Sequence, residues 1–181
     1  GFEQELVPLV QLLGDLEFYL GALGFLDLAR SRGHELCLPT FVAAEHPRHL
    51  QDFINPLLFS QNSRVVPCNL SIDRHDTTVL LTGPNSGGKT RLLQGIALAQ
   101  LLAQSGSFVP ARSASLCWAS GLVVSLIQET RLDQPEGRLG MELLRIRELF
   151  ERLPAGAMVI LDELCSGTNP SEGEEIFELV L

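Results

Sequence analysis

Basic side chains are scarce: 13 Lys and Arg stand against 22 Asp and Glu, a net charge of −9 over 181 residues. Gripping a phosphate backbone draws on clustered Lys and Arg, so this balance argues against nucleic-acid binding by the chain alone. Any DNA contact is expected to lie in other parts of a longer protein. Cys37, Cys68, Cys117 and Cys165 include no CxxC pair. Isolated cysteines in an ordinary-sized domain read as reduced core thiols, which points to a cytoplasmic setting and away from a zinc site. No apolar run approaches the ~18 residues of a membrane span, so no membrane partner is expected. The first residue is not Met, and Glu3 and Glu5 follow at once, which reads as neither a signal nor a transit peptide. Internal repeats and low-complexity segments are also lacking.

What the chain does have is apolar bulk: 45% of its residues are hydrophobic, enough for one sizeable core with a small appendage. Leu9, Leu12, Leu16, Leu20, Leu23 and Leu26 recur at helical steps, and Gly33 after Arg30-Ser31-Arg32 suits a helix stop. The Pro- and His-rich stretch 38–69 predicts short strands in irregular chain. From residue 77 the pattern becomes strand, loop and helix. It predicts a strand over 77–81, a helix from Lys89 to about Gln104, and a second strand over 122–127. A helix over about 139–152 and a strand over 158–161 follow, and a last helix opens at Asn169-Pro170-Ser171-Glu172. Strands alternating with helices predict an α/β fold with a mainly parallel sheet flanked by helices.

Gly83-Pro84-Asn85-Ser86-Gly87-Gly88-Lys89-Thr90 fits G-x-x-x-x-G-K-[ST] between a β run and a helical run. Its glycines let main-chain N–H groups turn inward around phosphates, at the positive end of a helix dipole. Lys89 then reaches the β- and γ-phosphates, and Thr90 offers its hydroxyl to Mg²⁺. Far downstream, Met158-Val159-Ile160-Leu161 delivers Asp162 and Glu163 to the carboxyl end of a strand, the edge where wound sheets bind ligands. Asp162 suits Mg²⁺, directly or through water, and Glu163 suits a general base for the attacking water. Alone, the acidic pair could be an exposed strand end; together with the loop it specifies hydrolysis of a Mg-nucleotide.

Four stretches resemble the ATPase region of MutS-type DNA mismatch-repair proteins, a branch of the ABC class of P-loop NTPases: "TGPNSGGKT", "AQSGSFVPA" (103–111), "LDELCSGTNPSEG" (161–173) and "LGDLEFYLGALGFLDLARSRGHELCLPTF" (13–41). The resemblance covers almost the whole chain. It implies an ABC-type ATPase domain over 37–181 entered by the end of a helical lever over 1–36. It also implies ATP and Mg²⁺ as ligands, a copy of itself or a paralogue as dimer partner, and DNA bound by domains outside this chain. Carried over by residue, Gly83, Pro84, Asn85, Ser86, Gly87, Gly88, Lys89, Thr90 and Arg91 hold the nucleotide. Thr90 and Asp162 hold Mg²⁺, Lys89 and Glu163 serve hydrolysis, and Val65 and Val66 flank the adenine. Ser166-Gly167-Thr168-Asn169 faces the partner subunit.

The sequence also departs from that family. A Ser/Thr-rich segment with a Glu is replaced by Gly137-Arg138-Leu139-Gly140-Met141-Glu142, which keeps only the Glu. The histidine expected after the last helix has no counterpart, because His34, His46, His49 and His75 all come too early. Alternative readings are another ABC-type ATPase of chromosome maintenance or transport, although no LSGGQ-like stretch occurs outside the loop, or a module that binds ATP with little turnover.

Overall fold

The computed structural model describes residues 2–60, 65–84, 86–126, 147–148 and 151–162. Helix α1 runs Phe2–Ser31. Its leucines form a long apolar surface, but that surface lies open: Leu9 is 59% and Leu20 67% exposed. Its last turns are seated, where Ala29 is fully buried and Phe25 packs with it against Ile54, Phe59, Leu36 and Val65. The helix ends as the N–H groups of Gly33 and His34 turn back to the carbonyls of Arg30 and Ala29, at 3.0 and 2.9 Å. Leu6–Ser31 is long and apolar enough to cross a membrane by length and composition, with a mean hydropathy of 1.4. This corrects the expectation that no run approaches such a length. Asp15, Glu17 and Asp27 break the run into pieces without lowering its average far.

Strands β1 (Thr40–Val42), β2 (Arg48–Phe53), β3 (Cys68–Ile72) and β4 (Ser113–Cys117) form one sheet in the order β1-β4-β2-β3. β2 alternates buried Arg48 and Leu50 with exposed His49 and Gln51, the period of a half-buried strand. It runs antiparallel to both neighbours, with Leu50 opposite Leu70 on β3 and Ala114 on β4. β1 pairs with β4 in parallel, Phe41 opposite Leu116. The sheet is therefore mixed, and the expectation of a mainly parallel, ABC-type P-loop architecture is overturned. The reason lies in the connections. Parallel neighbours need a long crossover, usually a helix, whereas β2 and β3 are joined through a 3-10 turn, Pro56–Ser60. A separate parallel pair, β5 (Leu122–Ser125) and β6 (Met158–Leu161), stands beside this sheet.

The strand expected over 77–81 does not form; the segment is irregular, with Val79 54% and Leu80 63% exposed. β propensity measures fit to a pleated, half-buried surface, and β5 and β6 pair with each other rather than with this run. Helix α2, Lys89–Gln104, follows the loop as its periodicity implies. Within the expected helix 139–152 the described residues, 147–148 and 151–152, are helical, with Arg147 bonded to Glu151 one turn on. The last expected helix lies outside the described residues.

The core joins β2, β4 and α2: Leu50, Phe53, Ala114 and Leu116 meet Ala99 and Ala103, with Val109 and Ala111 closing one side. Small residues on α2 set a close approach. A Cβ at Gly95 would lie 2.7 Å from Phe53 Cζ, so only glycine lets the helix settle there. At the far end of α2, the Gln100 amide donates to Cys117 O at 2.9 Å and the Gln104 amide to Ala119 O at 3.0 Å. Arg48 points inward and bonds the Arg74 carbonyl at 3.0 Å and His75 Nδ1 at 3.2 Å. Because Arg48 is the donor, His75 carries its proton on Nε2 and donates to Gly156 O at 3.0 Å, which ties the mixed sheet to the turn before β6.

Candidate functional site

The turn before α2 is shaped by backbone rather than side chains. Ser86 and Gly88 both adopt left-handed backbone, with φ of 71° and 84°. Gly88 is the N-cap of α2 and makes no side-chain cap bond. The first N–H groups of a helix have no partner within it, and left-handed residues at its start gather such groups into an anion-binding concavity. The Gly87 N–H closes the turn onto Pro84 O at 3.0 Å. Lys89, the first residue of α2, folds back over the turn, its Nζ donating to Gly83 O at 2.9 Å and to Pro84 O at 3.0 Å. It is the only lysine in the sequence.

Thr90 carries the connection to the second segment. Its Oγ1 donates to Asp162 Oδ2 at 2.5 Å, a contact between residues 72 apart in the chain. Asp162 directly follows β6, and its own N–H bonds Ser125 O at 2.9 Å, continuing the β5–β6 ladder to its end. The structure thus brings together an ammonium, a threonine hydroxyl and an aspartate carboxylate at one helix N-terminus. The hydroxyl and carboxylate are hard oxygen donors and fit Mg²⁺.

The remaining candidates divide. Arg91 turns along α2, Nη1 bonding Gln94 Oε1 at 3.1 Å. Val65 packs into the apolar cluster of Ile54 and Phe59, and Val66 is 79% exposed. Asn85, Glu163, 137–142 and 166–169 lie outside the described residues. One residue that motif reading passed over is Asn55. It is 5% exposed; its Nδ2 donates to Arg91 O at 2.8 Å and its Oδ1 accepts from Leu57 N at 2.9 Å. The Asn55-Pro56 dipeptide signals a turn in the sequence, but nothing in it announces a partner 36 residues on. Cys37 and Cys68 are half-buried and unbonded to one another, and burial pushes both thiols above their ordinary range.

A family model, MutS domain V, matches residues 79–180 of the chain. Over 165 residues, 90% of the chain, it is 34% identical to a protein named Endonuclease MutS2 from Thermus thermophilus. Proteins of the same name from Synechocystis and Caldanaerobacter subterraneus match at 29% over 92% and 28% over 95% of the chain. The chain spans 22%, 24% and 21% of the length of these three relatives. The matched region holds both the glycine turn and Asp162, so the shared sequence includes the site. The chain belongs to the MutS family.

Proposed function

We propose that this chain is the nucleotide-driven part of its protein: it binds ATP with Mg²⁺ at the turn 83–90 and hydrolyses it to drive a conformational change. The Thr90–Asp162 contact carries this reading, because it joins the phosphate loop to the carboxylate segment that such hydrolysis needs. Backbone N–H groups before α2 hold the phosphates, and Lys89 exchanges its two loop carbonyls for phosphate oxygens. Thr90 and Asp162 hold Mg²⁺, which when bound neutralises charge on the phosphate oxygens. Glu163 orients the attacking water and accepts its proton. Mismatched or branched DNA is bound by segments outside this chain, consistent with its net charge of −9. A second copy or a paralogue completes the assembly through 166–169.

The test compares ATP turnover by the full-length protein with that of its Glu163→Gln variant. Removal of a general base is expected to lower turnover by about 10²–10⁴-fold while ATP still binds. Equal, near-zero rates in both would replace the reading with a module that binds ATP without turning it over.

A further inference from the structure

Helix α2 is fastened at both ends, and its two fastenings differ in what they reach. The C-terminal end is tied through Gln100 to the carbonyl of Cys117, the last residue of β4, and through Gln104 to that of Ala119 just beyond it. At the N-terminal end the tie is Asn55, just beyond β2, whose amide donates to the carbonyl of Arg91 in the first turn of α2. That turn carries Lys89 and Thr90. In an α-helix the residue 91 carbonyl already accepts from residue 95, so the amide is a second donor to the same oxygen. It gets that close because residue 95 is glycine: a Cβ there would lie 3.1 Å from the Asn55 Cβ. The other half of the Asn55 side chain caps the 3-10 turn through Leu57 N–H. Phe59, the fourth residue of that turn, is 4% exposed and receives the end of α1. Phe25 lies 5.7 Å from it between ring centroids, and His34 stacks on it at 5.4 Å with 7° between planes.

We infer that Asn55 is a positioning residue for the phosphate site: its amide sets the first turn of α2, and with it Lys89 and Thr90, against the 3-10 turn on which α1 is seated. The inference rests on the nucleotide reading above. Asn55 touches no phosphate; it acts through the helix turn. A shift of α1 reaches Phe59 through its ring contacts, passes along the 3-10 turn to Asn55 through the bonds from Leu57 and Leu58 N–H, and from Asn55 reaches the turn bearing Lys89.

Two variants isolate the donor. Asn55→Ser and Asn55→Asp both keep an oxygen that can cap the 3-10 turn, and both lose the amide that reaches Arg91 O. In the full-length protein without nucleotide, each is expected to speed amide exchange in 89–93 while the Gln100–Gln104 end is unchanged. With Mg-ATP as probe, affinity is expected to fall about fivefold, the weight of one net hydrogen bond. In a Lys89→Ala background the same substitutions are expected to change affinity less than in wild type, since part of their effect acts through Lys89 and the rest through Thr90. Unchanged exchange in 89–93, affinity within twofold of wild type, or effects fully additive with Lys89→Ala would each overturn the inference alone. Failure of the wild-type protein to bind Mg-ATP would overturn the nucleotide reading and this inference with it.

Discussion

At position 89 the chain places its single lysine where two loop carbonyls hold the ammonium over a helix N-terminus. This gives a residue-level handle. Amine-directed labelling of the peptide containing Lys89 is expected to slow when Mg-ATP is added, because an ammonium bonded to phosphate oxygens is shielded from the reagent and must give up its proton before it can react. Equal labelling rates with and without nucleotide, measured by mass spectrometry, would remove Lys89 from the site. A second prediction concerns Cys37 and Cys68, whose thiols are raised chiefly by burial, with a bond from the Ala114 backbone opposing it at Cys37. The unfolded thiol ionises near pH 8.5, and the folded one later. The contribution of these two thiols to the unfolding free energy is therefore expected to be flat below about pH 8 and to fall as pH rises beyond it, since the unfolded chain releases its protons first. Urea unfolding across pH checks this; a decline unaltered by Cys37→Ala with Cys68→Ala would contradict it. At this scale the sequence was most legible where chemistry is written into a motif. Lys89, Thr90 and Asp162 could be named from residue type and spacing. Asn55 could not, because its partner is a main-chain carbonyl that any residue would supply.

Among the elements, α2 and the strands β5 and β6 were legible, and the pairing of the mixed sheet was not. A glycine turn followed by an apolar period fixes a helix start wherever the helix packs, and α2 begins at Lys89. Strands depend on neighbours. The β-rich 77–81 looks like a strand in isolation, yet it stays unpaired and exposed. Short strands were expected over 38–69, and β2 forms there, but nothing in the residues announced that it pairs antiparallel with β3 across a connection containing a 3-10 turn. Alternating strands and helices predicted parallel pairing, and that inference failed both at β2–β3, joined through a 3-10 turn, and at β2–β4, which pair antiparallel although α2 lies between them in the chain. Packing of α2 on β2 yields its own prediction. Gly95→Ala gains about 1 kcal/mol of helix propensity but drives a methyl into Phe53, which is 1% exposed and has nowhere to move. Overpacking of this kind costs about 1–3 kcal/mol. The urea midpoint of the variant is expected to fall; a midpoint that rises would show that α2 sits farther from Phe53 than described.

For the molecule as a whole, two units meet at the N-terminus of α2: the mixed sheet with its apolar core, and the β5–β6 pair that ends in Asp162. The His75–Gly156 bond and the Thr90–Asp162 bond are described contacts between them. Most of the described apolar surface of α1 lies open, and its last turns are seated through Phe25 and Ala29. Its leucine spacing announced a helix but not its exposure, which depends on what the rest of the fold covers, and its span-like mean hydropathy was missed because Asp15, Glu17 and Asp27 interrupt the run. The chain also spans about a fifth of the length of these relatives, so the proposed site is to be tested in the full-length protein. The most direct measurement is the Mg²⁺ dependence of ATP affinity in that protein, compared between wild type and Asp162→Asn. Wild type is expected to bind ATP about tenfold more tightly with Mg²⁺ than with chelator, and the variant to lose that difference, as when a metal-positioning carboxylate is removed. An equal Mg²⁺ effect in both proteins would contradict a metal held between Thr90 and Asp162, and the proposed site would fall with it.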